Sequence, residues 1–111
     1  MAEPEPSSRG KFDSDTAVWP ERGAGAGTGA ESVFGAEVSP DWRAGRGPHG
    51  GYLAAMLLRA LMLTVADPVR APRSLTVHYP RAPEPGPVRI RTVVERAGRS
   101  LSTLSARMEQ D

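Results

Sequence analysis

Cysteine is absent from this 111-residue chain. Its absence excludes disulfides and thiolate metal sites and agrees with a cytoplasmic protein. Membrane-length apolar runs are missing as well. The longest, Tyr52 to Ala66, is interrupted by Arg59 and Thr64 and falls short of the ~20 residues that a spanning helix needs. No membrane partner is expected. The opening residues, MAEPEPSSRGK, lack the basic start and apolar core of a signal peptide. They hold no hydrophobe beyond Met1 and Ala2, so residues 1–11 read as a disordered tail and residues 12–111 as one small domain. There is also no Lys/Arg block with interleaved aromatics, which leaves nucleic acid out as an expected partner. Charge is uneven along the chain: residues 1–41 carry 3 basic and 8 acidic side chains, residues 42–111 carry 11 and 5. A basic half favours an anionic ligand such as a nucleotide phosphate. Its arginines are scattered among strand-like residues, however, and a solvated sheet face accounts for most of them.

What is present is organised by periodicity. Phe12 to Trp19 has loosely alternating apolar positions and reads as an edge strand stopped by Pro20. Within the following glycine-rich stretch, Gly25, Gly27 and Ala30 fit the G-x-G-x-x-A pattern of dinucleotide loops. That fingerprint requires a helix behind it, and SVFGAEV reads instead as a strand, which makes the glycines a hairpin tip. Trp42 is expected to anchor the next loop, RAGRGPHGG. In Tyr52–Ala66, Leu53, Met56, Leu57, Ala60, Leu61 and Thr64 share one helical face, and Ala54, Leu58 and Val65 cover much of the rest. A helix apolar nearly all round is buried on most sides. Asp67-Pro68 ends it.

Three strand signals follow. In SLTVHY, Leu75, Val77 and Tyr79 alternate with Thr76 and His78. In VRIRTVVE, Val88, Ile90, Thr92 and Val94 oppose Arg89, Arg91 and Glu95. In LSTLSARM, Leu104, Ala106 and Met108 oppose Thr103, Ser105 and Arg107. Period-2 alternation marks strands with one wet face. The order predicts an α+β fold, an antiparallel sheet around one long central helix. That helix needs more cover than a few short strands provide, so a second copy or a second domain is expected against it. The sequence stops at Asp111 directly after a strand, which reads as a truncation.

Taken together, Trp42, Gly45, the run Gly47-Pro48-His49-Gly50-Gly51-Tyr52-Leu53-Ala54-Ala55, and the blocks PRSLTVHYPRAPEPGPV and ERAGRSLSTLSARMEQD resemble hotdog-fold acyl-CoA thioesterases. The resemblance is to the N-terminal half of the double-hotdog, thioesterase II-like family, and it covers about residues 12–111. It implies a curved antiparallel sheet wrapped around a central helix, here cut after the penultimate strand. It also implies hydrolysis of acyl-CoA to free acid and coenzyme A, in fatty acid metabolism, with no cofactor or metal. In such enzymes a carboxylate activates water while helix-terminal amides polarise the thioester. Single-hotdog relatives carry an acidic residue further along the same helix. Here the position nine residues after His49 is Leu58, and Tyr52–Ala66 contains no Asp or Glu. Arg43 replaces the usual Asn, and Pro80 stands where an apolar strand residue is usual. In double-hotdog relatives the catalytic Asp lies in the C-terminal half, so no catalytic residue is assigned in this chain.

His49, Gly50 and Gly51 are the first candidates for binding substrate. Two glycines let a ligand approach the backbone, and the helix dipole favours partial negative charge there. The same residues also suit a tight entry turn packed on the sheet. His78 could contact substrate or sit at an interface; no carboxylate is placed to make it a base. Arg81 could neutralise coenzyme A phosphates, as could Arg89, Arg91, Arg96 and Arg99, although a solvated strand face suits most of these. Asp13 and Asp15 are close together near an expected mobile terminus. Two functions remain open: half of a thioesterase not competent alone, or a non-catalytic acyl- or CoA-binding or dimerisation module. Either is expected to pair with a second hotdog domain or form a homo-oligomer.

Overall fold

A computed structural model describes residues 10–23 and 27–111. The fold is α+β: a four-stranded antiparallel sheet with one main helix packed on it, the arrangement of a hotdog. The short helix α1 (Lys11–Asp15) precedes β1 (Val18–Arg22), β2 (Glu31–Val38) and a small ladder of β3 (Arg43–Ala44) with β4 (Gly47–Pro48). The main helix α2 (Gly50–Val65), β5 (Gly86–Ala97) and β6 (Ser102–Glu109) follow. The sheet order is β1-β2-β5-β6, each pair antiparallel.

The alternation seen in the sequence sets which face is buried. Phe34, Ala36 and Val38 of β2 and Val88 and Ile90 of β5 pack on Tyr52, Leu53, Met56 and Ala60 of α2. Thr92 and Val94 continue the buried row of β5. The opposite face carries ion pairs: Arg89 with Glu21 at 3.4 Å, and Arg91 with Glu31 at 3.2 Å and Glu109 at 3.0 Å. Arg89 and Arg91 thus belong to the solvated sheet face. At the far end of α2 the Thr64 hydroxyl donates to the Ala60 carbonyl at 2.8 Å and lies 2.7 Å from the Thr92 hydroxyl, so the Thr92 hydroxyl is the donor to Thr64. Ala66 ends the helix in the left-handed region, at φ 54°, and Asp67 Oδ1 then accepts the Val69 amide at 3.0 Å.

Two expected strands are corrected. Phe12–Trp19 is not one strand: Lys11–Asp15 is helical, and β1 begins only at Val18, as the edge strand beside β2. SLTVHY forms no strand and belongs to no ladder. The strand expected after the glycines is present as β2; Gly25 of the glycine pattern, like residues 1–9 of the expected tail, lies outside the described residues. Lys11, also assigned to that tail, opens α1.

Candidate functional site

The amino end of α2 is built by its own sequence. His49 has extended backbone, at φ −63° and ψ 130°, and caps the helix itself: its Nδ1 accepts the Gly51 amide at 3.0 Å. Imidazole thus takes the place that a Ser, Thr, Asp or Asn side chain more often fills at a helix start. An acceptor at Nδ1 places the proton of the neutral ring on Nε2. The Leu53 amide reaches the His49 carbonyl at 3.2 Å, and the His49 amide donates to the Trp42 carbonyl at 2.8 Å. The Gly50 and Tyr52 amides make no hydrogen bond to another described residue. Helix starts leave such donors over, and the helix dipole points the same way.

A second segment closes on this end. The Tyr79 hydroxyl donates to the Gly50 carbonyl at 2.8 Å. A side chain at Gly50 would meet the Tyr79 ring at 3.3 Å, and one at Gly51 would meet the His49 imidazole at 3.2 Å. Across the β3–β4 ladder, Gly47 approaches Ala82 so closely that an added Cβ would stand 3.2 Å from the Ala82 methyl. Arg81 therefore lies between two residues in contact with the His49 loop. It is exposed, as are His78 and His49. Sequence reasoning placed Tyr79 on an inward strand face and missed its contact with Gly50.

The loop is held from behind by aromatic packing. Trp42 and Tyr52 stack with ring centres 6.0 Å apart, and Phe12 meets Trp42 edge-on at 5.1 Å. The Trp42 indole donates to Asp15 at 2.9 Å, and Lys11 pairs with both Asp15 at 3.0 Å and Asp41 at 2.6 Å. The indole and ammonium donors hold the Asp15 carboxyl below the ordinary aspartate range, despite partial burial. The Tyr52 hydroxyl donates to the Asp15 carbonyl at 2.8 Å and accepts the Ser39 amide at 2.9 Å, and burial pushes its pKa up. Arg59 Nη1 reaches the Asp13 carbonyl at 2.7 Å and Thr16 Oγ1 at 2.8 Å. The Asp15 carboxylate is thus taken up by the Trp42 indole and Lys11.

The model of the acyl-CoA thioesterase N-terminal domain matches residues 38–111, well over half of the chain. The chain belongs to this acyl-CoA thioesterase family. The matched region holds α2, its His49 loop and the Tyr79 segment. Relatives from Mycobacterium bovis and from two strains of Mycobacterium tuberculosis are each 28% identical over 88 residues, and each is described only as an uncharacterized protein. The alignment covers 76% of this chain but 30% of each relative, so the thioesterase-like chain spans under a third of their length. No solved structure matches. None of the described helices is long and apolar enough to cross a membrane.

Proposed function

We propose that this chain is the N-terminal hotdog half of a double-hotdog, thioesterase II-like enzyme. It holds acyl-CoA with the thioester at the amino end of α2. The observation that carries this reading is the family match over residues 38–111, which spans α2 and the loop that caps it. The Gly50 and Tyr52 amides donate to the thioester oxygen, and His49 Nε2–H is available beside them. Charge building on that oxygen is then met by fixed dipoles that need no reorganisation. Arg81 and His78 line the approach and favour the coenzyme A phosphates, in the cytoplasm.

Hydrolysis also needs a base to take a proton from water as the C–S bond breaks and coenzyme A leaves as its thiol. Helix α2 carries no Asp or Glu, and Asp15 is occupied by Trp42 and Lys11. The base therefore comes from a partner domain, and the chain alone binds without turning over. The same lack of acid supports a second reading, a purely acyl- or CoA-binding module. Calorimetry with lauroyl-CoA and with free coenzyme A tests the shared claim. Acyl-CoA is expected to bind, and Gly51→Val, which crowds His49, is expected to weaken it. Binding of neither ligand would reduce the domain to a structural role.

A further inference from the structure

A single charged residue, Arg59, interrupts the apolar sequence of α2. It is spent on α1: Nη1 donates to the Asp13 carbonyl at 2.7 Å and to Thr16 Oγ1 at 2.8 Å. Thr16, which closes α1, is only 1% exposed. The main helix therefore holds the short one against itself. A helix of five residues does not persist on its own hydrogen bonds, so α1 depends on such docking. It precedes residues 38–111 and lies outside the family match.

One residue of α1 reaches both ends of the loop that carries the site. The Asp15 carboxylate accepts the Trp42 indole at 2.9 Å, and the Asp15 carbonyl accepts the Tyr52 hydroxyl at 2.8 Å. Between Trp42 and Tyr52 lie the β3–β4 ladder and His49-Gly50-Gly51. The Trp42 end is bonded directly to the site: its carbonyl accepts the His49 amide at 2.8 Å, and His49 Nδ1 accepts the Gly51 amide at 3.0 Å. A path of three hydrogen bonds thus runs from the Asp15 carboxylate through Trp42 and His49 to Gly51. At the other end, Tyr52 supplies one of the two amides assigned to the thioester.

We propose that Asp15 is a positioning residue for the ligand site and that α1 is the strap through which it acts. This rests on the reading of the amino end of α2 as the acyl-CoA site. The carboxylate touches no ligand. It sets where Trp42 places His49, and so how the Gly50 and Tyr52 amides and Nε2–H of His49 stand relative to one another. Such donors act on a carbonyl oxygen only when they are held in place. What the indole requires of residue 15 is an acceptor oxygen rather than a charge. Asp15→Asn keeps that acceptor and Asp15→Ala removes it, while the carbonyl bond to Tyr52 is available in both.

The test compares the parent 111-residue chain with Asp15→Ala, Asp15→Asn and Trp42→Phe, each checked for its fold by circular dichroism. NMR reads the His49 and Gly51 amide resonances, and calorimetry reads the affinity for lauroyl-CoA. Asp15→Ala is expected to displace both resonances relative to Asp15→Asn, which has lost the same charge, and to lower affinity about tenfold. Asp15→Asn is expected to stay within about threefold of the parent affinity. Trp42→Phe keeps the ring and the carbonyl but removes the indole N–H, so it should lose affinity as Asp15→Ala does. The double variant should then be no worse than either alone. Loss of global stability does not move native-state resonances, so coincident His49 and Gly51 peaks in folded Asp15→Ala and Asp15→Asn would overturn the proposal. Affinity losses that add in the double variant would overturn it as well, because the two residues would then act separately. Should Asp15→Ala not fold, Trp42→Phe reads the same bond from its other partner. If the parent chain binds no acyl-CoA, the proposed function fails, and the amide resonances still decide the positioning.

Discussion

His49 Nδ1 accepts the amide of Gly51, two residues on, at 3.0 Å. The histidine of the loop is therefore the helix cap, and the second glycine's amide is occupied by it. This changes which donors remain for a ligand: the Gly50 and Tyr52 amides, with Nε2–H of His49 facing away from its bond to Gly51. Replacing His49 by Ala is expected to cost about 1 kcal/mol of stability, the usual value of a cap, with Asn restoring most of it. Denaturant midpoints of the two variants measure this.

Tyr79 closes the other side of the same turn through the Gly50 carbonyl. Tyr79→Phe removes one partly exposed hydrogen bond and is expected to cost about 1 kcal/mol or less globally. Its local effect is larger, because that bond pins a segment with few other anchors. Limited tryptic digestion should cut faster at Arg73 and Arg81 in Tyr79→Phe than in the parent chain.

The buried hydroxyls of Thr64 and Thr92 make an asymmetric pair, since Thr64 donates to Ala60 and Thr92 donates to Thr64. Thr64→Val strands a buried donor and is expected to cost about 1–3 kcal/mol. Thr92→Val leaves only an unused acceptor site and costs less. The double variant should be nearly neutral relative to Thr92→Val, a coupling that a double-mutant cycle by chemical denaturation reads directly.

Asp15 gives the chain a specific acid sensitivity. Its folded pKa is held below the free value of 3.8, first by the Trp42 indole and then by Lys11. The stabilisation is complete above that value and is lost as pH falls through the lower folded pKa. Stability followed from about pH 5 down to about pH 2 should fall less steeply in Asp15→Asn than in the parent chain. An equal slope in both would remove Asp15 as the cause.

How far these features could be read in advance depended on whether they are local. Helix α2 and strands β2, β5 and β6 are each written in one periodic stretch, and each formed. SLTVHY has the same alternation, but alternation only sorts side chains to two faces. Pairing requires a neighbour, and none of the described residues supplies one. Helix α1 has only five residues, too few to show a helical period, and it is held by contacts to Trp42, Asp41 and Arg59 far along the chain. At the site, the His-Gly-Gly motif was visible as a place where backbone could meet ligand. That imidazole would cap its own helix, and that Tyr79 would lock onto Gly50, are facts of approach between segments. Composition and spacing do not encode them.

We propose that this domain holds acyl-CoA but lacks the base to hydrolyse it. The most direct measurement is release of coenzyme A thiol from lauroyl-CoA by the purified 111-residue chain, at a concentration where calorimetry has established binding. Bound ligand and no thiol release above the uncatalysed rate are expected. Sustained turnover that disappears in Gly51→Val would contradict the proposal, because a competent base would then lie within this chain.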